Sequence, residues 1–197
     1  VILPIVAYGS PVLKKVCEDI DADHEGLQEL IDNMFETMYE ASGVGLAAPQ
    51  IGKSIRLFIV DASPFAEDEG LSEEDRTQLT DFKKVFINAE IISEEGEPWG
   101  FEEGCLSIPD IREEVMREPE VTLRYSDRDF KEYEETFTGL AARVIQHEYD
   151  HIDGVLFTDH LTAFKRRLLK RRLEEISKGR INAKYKMKFP NSKKKRK

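Results

Sequence analysis

The hexapeptide QHEYDH, residues 146–151, constrains this chain more than any other feature. Its two histidines stand four residues apart. On an α-helix that spacing places their Cβ atoms about 6 Å from each other on one face. His147 and His151 can therefore converge on one metal ion. Glu148 follows the first imidazole and lies about 100° further round the helix. From there it reaches a water beside the ion rather than the ion itself, which makes it the candidate general base. The flanking sequence has the period such a helix needs. Over residues 139–152, Leu140, Val144, Ile145 and Ile152 form an apolar stripe, and Gly154 supplies a stop.

A catalytic ion of this kind requires a third protein ligand and an open position. In extended versions of the motif a third His follows six residues after the second; here that position is Phe157. Glu174 and Glu175 lie downstream, as in zinc endopeptidases that take a Glu from a later helix. They sit within KRRLLKRRLEEISKGR, where helix-surface salt bridges are the simpler account. Cys105, in EEGCLSIPD, is the remaining candidate. Its flanks are polar and turn-like, and a thiolate suits zinc or iron(II). Cys17, between Val16 and Glu18, reads instead as a small buried hydrophobe. Two cysteines make no disulfide framework, which points to a reducing compartment. His24 and His160 carry no expected metal role. Asp150 and Asp153 could support the ligands from behind, but solvated side chains are the plainer expectation.

The rest of the chain reads as an α+β fold. Residues 24–41 have helical spacing, with Leu27, Leu30, Ile31, Met34, Phe35 and Met38 on one side. Residues 55–62 form a strand, and residues 63–81 an acidic loop. The segments KKVFINAEIISEEGE, IREEVMR, EVTLRYSDRD and KEYEETFTG alternate apolar and polar residues, as antiparallel strands do. A last helix spans residues 160–178. The predicted architecture is mainly short antiparallel strands packed around a central helix carrying His-Glu-x-x-His, followed by a C-terminal helix. Residues 1–179 are expected as a single catalytic domain. Residues 180–197 are expected as a basic tail in which INAKYKMKFP alternates like an edge strand, with disorder after it.

Charge divides the chain. Residues 165–197 hold 16 Lys and Arg against Glu174 and Glu175, a net of +14; the first 164 residues hold 13 basic and 37 acidic groups, a net of −24. A basic end on an acidic body suits an anionic partner. No apolar run approaches the roughly 20 residues of a membrane helix. The start, VILPIVAYGSPVLKK, lacks the basic and cleavage regions of a signal peptide. Neither a membrane nor a specific DNA sequence is expected as a partner.

The stretch GVGLAAPQIG, residues 43–52, fails as a phosphate cradle, because it follows a helix and lacks a Lys-Ser/Thr pair. Its glycines suit close approach of backbone to a ligand, with Gln50 as an amide donor. Taken in order, GVGLAAPQIG, EGCLS and QHEYDH resemble the bacterial peptide deformylases, hydrolases that remove the formyl group from N-terminal formylmethionine of new polypeptides. The resemblance implies Cys105, His147 and His151 as ligands of one divalent metal ion, iron(II) in the cell and zinc, nickel or cobalt in purified protein. It implies Glu148 as proton shuttle, with the Gln50 side chain and the Leu106 N–H holding the oxyanion. Val44, Phe101, Leu140 and Val144 are expected to wall the methionine pocket, and Gly45 to pair its backbone with the substrate. Glu103 and Arg112 are further candidates for substrate contact. Arg143 departs from an apolar lining and is expected to snorkel to the rim. The family setting is cytoplasmic, and the basic C-terminal region could dock on the ribosome, whose RNA is anionic.

Overall fold

The alternating segments pair as sheets in the computed structural model, which describes residues 1–193. In chain order the elements are β1 (Ile5–Val6), α1 (Leu27–Glu40), β2 (Gly45–Ala47), β3 (Leu57–Asp61), α2 (Glu73–Leu79) and β4 (Lys83–Glu95). There follow β5 (Trp99–Cys105), β6 (Ile108–Arg117), β7 (Glu120–Ser126), β8 (Glu132–Thr138), α3 (Gly139–Ile152), α4 (Ala163–Ser177) and β9 (Met187–Lys188). Five strands form an antiparallel sheet in the order β2-β3-β4-β7-β8. β5 and β6 form a separate antiparallel hairpin, and β1 pairs in parallel with β9. The structure is thus α+β with mostly antiparallel strands, as predicted.

The period-2 geometry of β3 explains the layering. All five of its residues are buried. Phe58 and Val60 point to the side where α3 lies, packing with Phe86, Leu123, Phe137, Ala142 and Ile145. Leu57 and Ile59 point the other way and meet Ile31, Met34 and Met38 of α1. A strand covered on both faces reads as a continuous apolar run, which is how LFIV appears in the sequence. Each of these large side chains contributes about 1.5–3 kcal/mol on burial. A third apolar cluster joins Ile108, Ile111 and Val115 of β6 to Phe157 and to Leu169, Leu173 and Ile176 of α4. α3 is therefore held between the sheet and the β5–β6 hairpin, and both surfaces bear on the site.

Two segments differ from the sequence expectations. Residues 63–81 are not one loop: a 3-10 turn, Ser63–Glu67, is followed by α2. Ser72 caps α2 by accepting from the Asp75 N–H, and Glu73, Glu74 and Asp75 place negative charge at the positive end of the helix. Leu79 anchors it in the core. The last helix is preceded by a distinct 3-10 turn, Phe157–His160, and begins at Ala163 under a Thr162 cap. The tail holds a two-residue strand, β9, with Ile181, Ala183, Tyr185, Met187 and Phe189 turned partly inward. The end of the expected disordered segment, residues 194–197, lies outside the described residues. Gly154 ends α3 at φ 74°; a Cβ there would lie 2.7 Å from the Lys14 carbonyl group. No helix among the described residues is long and apolar enough to cross a membrane.

Candidate active site

Two elements bring the three predicted ligands together. α3 presents His147 and His151, whose ring centroids are 5.2 Å apart. The β5–β6 hairpin turns through Leu106 and Ser107, with Cys105 paired to Ile108, and so aims the thiol back at the helix. The Cys105 Sγ lies 3.4 Å from His151 Nε2. Ligand atoms of Cys105, His147 and His151 all fall within 4.8 Å of one another, the one such cluster among the described residues. Glu174 and Glu175 are absent from it, and Glu175 pairs with Arg180 at 3.4 Å. Both cysteines are free thiols, and Cys17 is buried as expected.

The donor set fits a divalent transition metal: one thiolate and two imidazoles leave room for a fourth, exchangeable position. One orphaned atom bears on that fit. Glu148 Oε2 is buried and has no hydrogen-bond partner; His151 Nδ1 is also unpartnered, but the ring nitrogen facing Cys105 is Nε2. A buried acceptor left open costs about 1–3 kcal/mol, so Glu148 keeps one oxygen for a donor that arrives from solvent or substrate. Its other oxygen stands 4.0 Å from His147 Nε2. Burial pushes the Glu148 carboxyl up to about 7; the positive charge of His147 opposes this and the Glu103 carboxylate reinforces it. A carboxyl in that range can both take and return a proton near neutral pH.

Behind His147 stands a buried ionic network. Glu103 Oε1 accepts from His147 Nδ1 at 2.9 Å. Arg117 grips the same carboxylate with Nε at 2.7 Å and Nη2 at 3.0 Å. Arg143 Nη1 adds a bond to Oε2 at 2.9 Å and another to the Val115 carbonyl at 2.8 Å, and its Nη2 donates to the Trp99 carbonyl at 2.7 Å. Burial would raise the Glu103 pKa, but the bonds from His147 and Arg117 hold it well below the usual carboxylate range. Burial likewise works against the Arg117 charge, and Glu103 and Asp150 more than restore it. For Arg143 burial wins, and its pKa falls below the ordinary guanidinium value. Arg117 reaches on to Asp150 at 2.9 Å, and Asp150 meets His160 at 2.8 Å.

These contacts correct several expectations. Glu103, expected among the substrate contacts, borders the cleft and has both oxygens hydrogen-bonded to His147, Arg117 and Arg143. Arg143 does not snorkel: it is 3% exposed, bonded to Glu103 and two carbonyls, and packed against Trp99 with its guanidinium carbon 4.6 Å from the ring centroid. Asp150 is tied to Arg117 rather than solvated, whereas Asp153 pairs with Arg56 at 2.9 Å, half-exposed. Arg117 and Ser107 were missed altogether, since an Arg in a strand and a Ser in a turn carry no sequence signal of their own.

A cleft of about 500 Å³ opens over this centre. Val44, Gly45, Phe101, Arg112 and Val144 line it. Leu140 does not; it packs against the sheet-facing core. Phe65, from the acidic excursion, and the tail residues 182–185 line the cleft without having been expected there. Gln50 is 1% exposed, and its orientation is fixed: Oε1 accepts from the Ala47 N–H at 2.9 Å, so Nε2 faces Ser107 Oγ at 3.2 Å and Cys105 Sγ at 3.4 Å.

A helix offering two imidazoles and a carboxylate to a thiol on a hairpin, inside an α+β fold, has the donor set of a metal-dependent hydrolase. The family model described as polypeptide deformylase matches residues 2–167, and the chain belongs to that family. It is 60% identical to a peptide deformylase of Christiangramia forsetii, over 99% of this chain and all of that one. It is 57% identical to one of Flavobacterium psychrophilum, over 95% of this chain and 97% of the relative. The crystal structure of a peptide deformylase from Legionella pneumophila superposes with a TM-score of 0.76 at 39% identity, covering 91% of this chain and 98% of the other. The chain is an enzyme that removes the N-formyl group of newly made polypeptides.

Proposed function

We propose that Cys105, His147 and His151 hold one divalent ion, iron(II) in the cell, and that Glu148 is the acid–base catalyst of formyl hydrolysis. The ion, when bound, supplies Lewis-acid activation of a water and of the formyl carbonyl. Glu148 takes the proton of the attacking water and returns it to the leaving amine as formate departs. The Gln50 amide and the Leu106 N–H stabilise the developing oxyanion, as pre-aimed donors do in a water-poor site. Val44, Phe101 and Val144 receive the methionine side chain. The backbone at Gly45 pairs with the extended peptide, because β2 is the edge strand of its sheet and its outer side faces the cleft. The observation that carries this reading is the convergence of one thiol and two imidazoles beside an unpartnered Glu148 oxygen. The enzyme works in the cytoplasm close to the ribosome, with Lys165, Arg166, Arg167, Lys170, Arg171 and Arg172 of α4 as the face toward anionic RNA.

The test is formate release from formyl-Met-Ala-Ser by protein loaded anaerobically with iron(II), and in parallel with nickel, cobalt or zinc. Glu148→Ala should lower the rate about 10²–10⁴-fold while the ion stays bound. Absence of formate release by every metal form, or an active Glu148→Ala enzyme, refutes the assignment.

A further inference from the structure

The turn Cys105–Leu106–Ser107 carries two groups of the proposed mechanism, the thiol and the Leu106 N–H. Its backbone carbonyls are held from outside the hairpin. Tyr185 Oη donates to the Leu106 carbonyl at 2.6 Å, and the Tyr8 N–H donates to the Ser107 carbonyl at 2.9 Å. One donor therefore comes from each end of the chain. Those ends are fastened to each other: β1 pairs with β9, through bonds from the Ile5 N–H to the Lys186 carbonyl at 3.0 Å and from the Ala7 N–H to the Lys188 carbonyl at 2.9 Å. The segment is also tied back to α4, where the Asn191 N–H donates to the Ser177 carbonyl at 2.9 Å. Tyr185 is half-buried, packs beside Leu106 against the α1 core, and borders the cleft together with Asn182, Ala183 and Lys184.

We propose that the C-terminal segment after α4 is a working part of the active site, and that Tyr185 is a positioning residue which fixes the Cys105–Leu106–Ser107 turn. This rests on the deformylase reading and adds a residue to it. A two-residue hairpin turn has soft backbone dihedrals, and its peptide groups rotate unless their polar atoms are engaged. The Leu106 carbonyl belongs to the Leu106–Ser107 peptide group, which is joined through the Leu106 Cα to the Cys105–Leu106 peptide group; a shift of the first changes the Leu106 dihedrals and so re-aims the Leu106 N–H carried by the second. The phenol prevents this without touching the substrate. Tyr185 should consequently affect the chemical step and leave ground-state binding nearly alone.

The experiment compares wild type with Tyr185→Phe, which keeps the ring and removes only the hydroxyl, and with a chain ending after Arg180. Formate release from formyl-Met-Ala-Ser gives kcat and KM. The cobalt(II) form gives the thiolate-to-metal absorption band, which reports the Cys105 geometry independently of turnover. Tyr185→Phe should lose about 3- to 10-fold in kcat, the usual effect of one neutral hydrogen bond, with KM within about twofold. Its cobalt band should shift while binding remains one ion per chain. The truncated chain should lose at least as much. Unchanged kcat and an unchanged band in Tyr185→Phe overturn the proposal, as does a loss confined to KM. If the shortened chain fails to fold, the phenylalanine variant decides alone. A wild-type enzyme that released no formate would sink the functional reading instead, and the cobalt band would still report whether Tyr185 holds the turn.

Discussion

Replacing Gly45 by Ala adds one methyl group at the point where β2 passes Glu148, the proposed acid–base group. An ideal Cβ at this position lies 2.7 Å from Glu148 Oε1, 2.8 Å from its Cγ and 2.9 Å from its Cδ. Ordinary contact begins at 3.4 Å, so the carboxylate must retreat by about 0.7 Å, and displacements near 1 Å in a reacting group cost about 10²-fold in rate. The strand cannot yield instead, because Gly45, Leu46 and Ala47 are paired in register with Val60, Ile59 and Phe58. The nearest atoms all belong to Glu148, so His147, His151 and Cys105 are undisturbed. Gly45→Ala should therefore retain its metal ion, lose about 30- to 100-fold in kcat and lose about 1–3 kcal/mol of stability through overpacking. Steady-state formate release, metal content and urea unfolding measure the three effects. Gly43→Ala is the contrasting case: the atoms nearest its Cβ are Leu106 Cδ1 at 2.8 Å and Met38 Cγ at 3.3 Å, none of them in Glu148, so any loss it shows acts through the Leu106 turn and not through the carboxylate. A Gly45→Ala enzyme with near wild-type kcat would refute the reasoning, and so would one that loses its ion.

Three further outcomes are expected. Cys105→Ser replaces a soft thiolate by a neutral hydroxyl and should weaken metal binding by more than the roughly 10–100-fold typical of losing an outer partner; competition with a chelating dye measures this. Arg117→Met removes the bidentate partner of Glu103 and the partner of Asp150 from a site where Arg117 and Glu103 are 6% and 4% exposed. It should destabilise the fold by about 3–5 kcal/mol in urea unfolding, the cost of a buried charge left short of its partner. Asp61 supplies the pH dependence. Burial alone would raise its pKa, but bonds from the Ser63 hydroxyl, the Tyr39 hydroxyl and the Ser63 N–H hold it below the ordinary value. Its stabilising contribution is thus complete above the unfolded pKa of about 4 and is lost as pH falls through the lower folded pKa. The stability difference between wild type and Asp61→Asn should hold constant above about pH 5 and shrink below about pH 4, and a constant difference down to about pH 2 would exclude this origin.

How much of this was legible depends on the reach of each interaction. The helix bearing His147, Glu148 and His151 was plain because its period and the four-residue spacing of its imidazoles are both local. Cys105 stood out through its own flanks. Arg143 was misjudged because its partners, Glu103, Val115 and Trp99, lie 40, 28 and 44 residues upstream, and nothing near Arg143 announces them. The partners of Glu103 were equally hidden: Arg117, Arg143 and His147 lie 14, 40 and 44 residues further along the chain. α2 had a readable cap at Ser72, but with Leu79 as its one buried residue it had no period to detect. The tail showed its alternation, yet pairing with a strand 182 residues earlier in the chain is invisible to any local pattern.

The Glu103 network shows why such long-range groups are present at all. Buried ion pairs are poor sources of net stability, because desolvation consumes most of the Coulombic gain. A core of apolar side chains would hold α3 against the hairpin as firmly. It could not, however, fix the rotation of the His147 ring, which needs an acceptor at Nδ1, and that acceptor needs its remaining lone pairs satisfied and its own direction set. Arg117 and Arg143 do both, and because Arg143 also binds the carbonyls of Trp99 and Val115, the ring is registered to the same hairpin that delivers Cys105. The imidazole on the helix and the thiol on the turn thereby share one reference frame. The turn is hydrogen-bonded at its far end by Tyr8 and Tyr185, so the three proposed ligands are set by contacts from β5, β6, α3 and both ends of the chain.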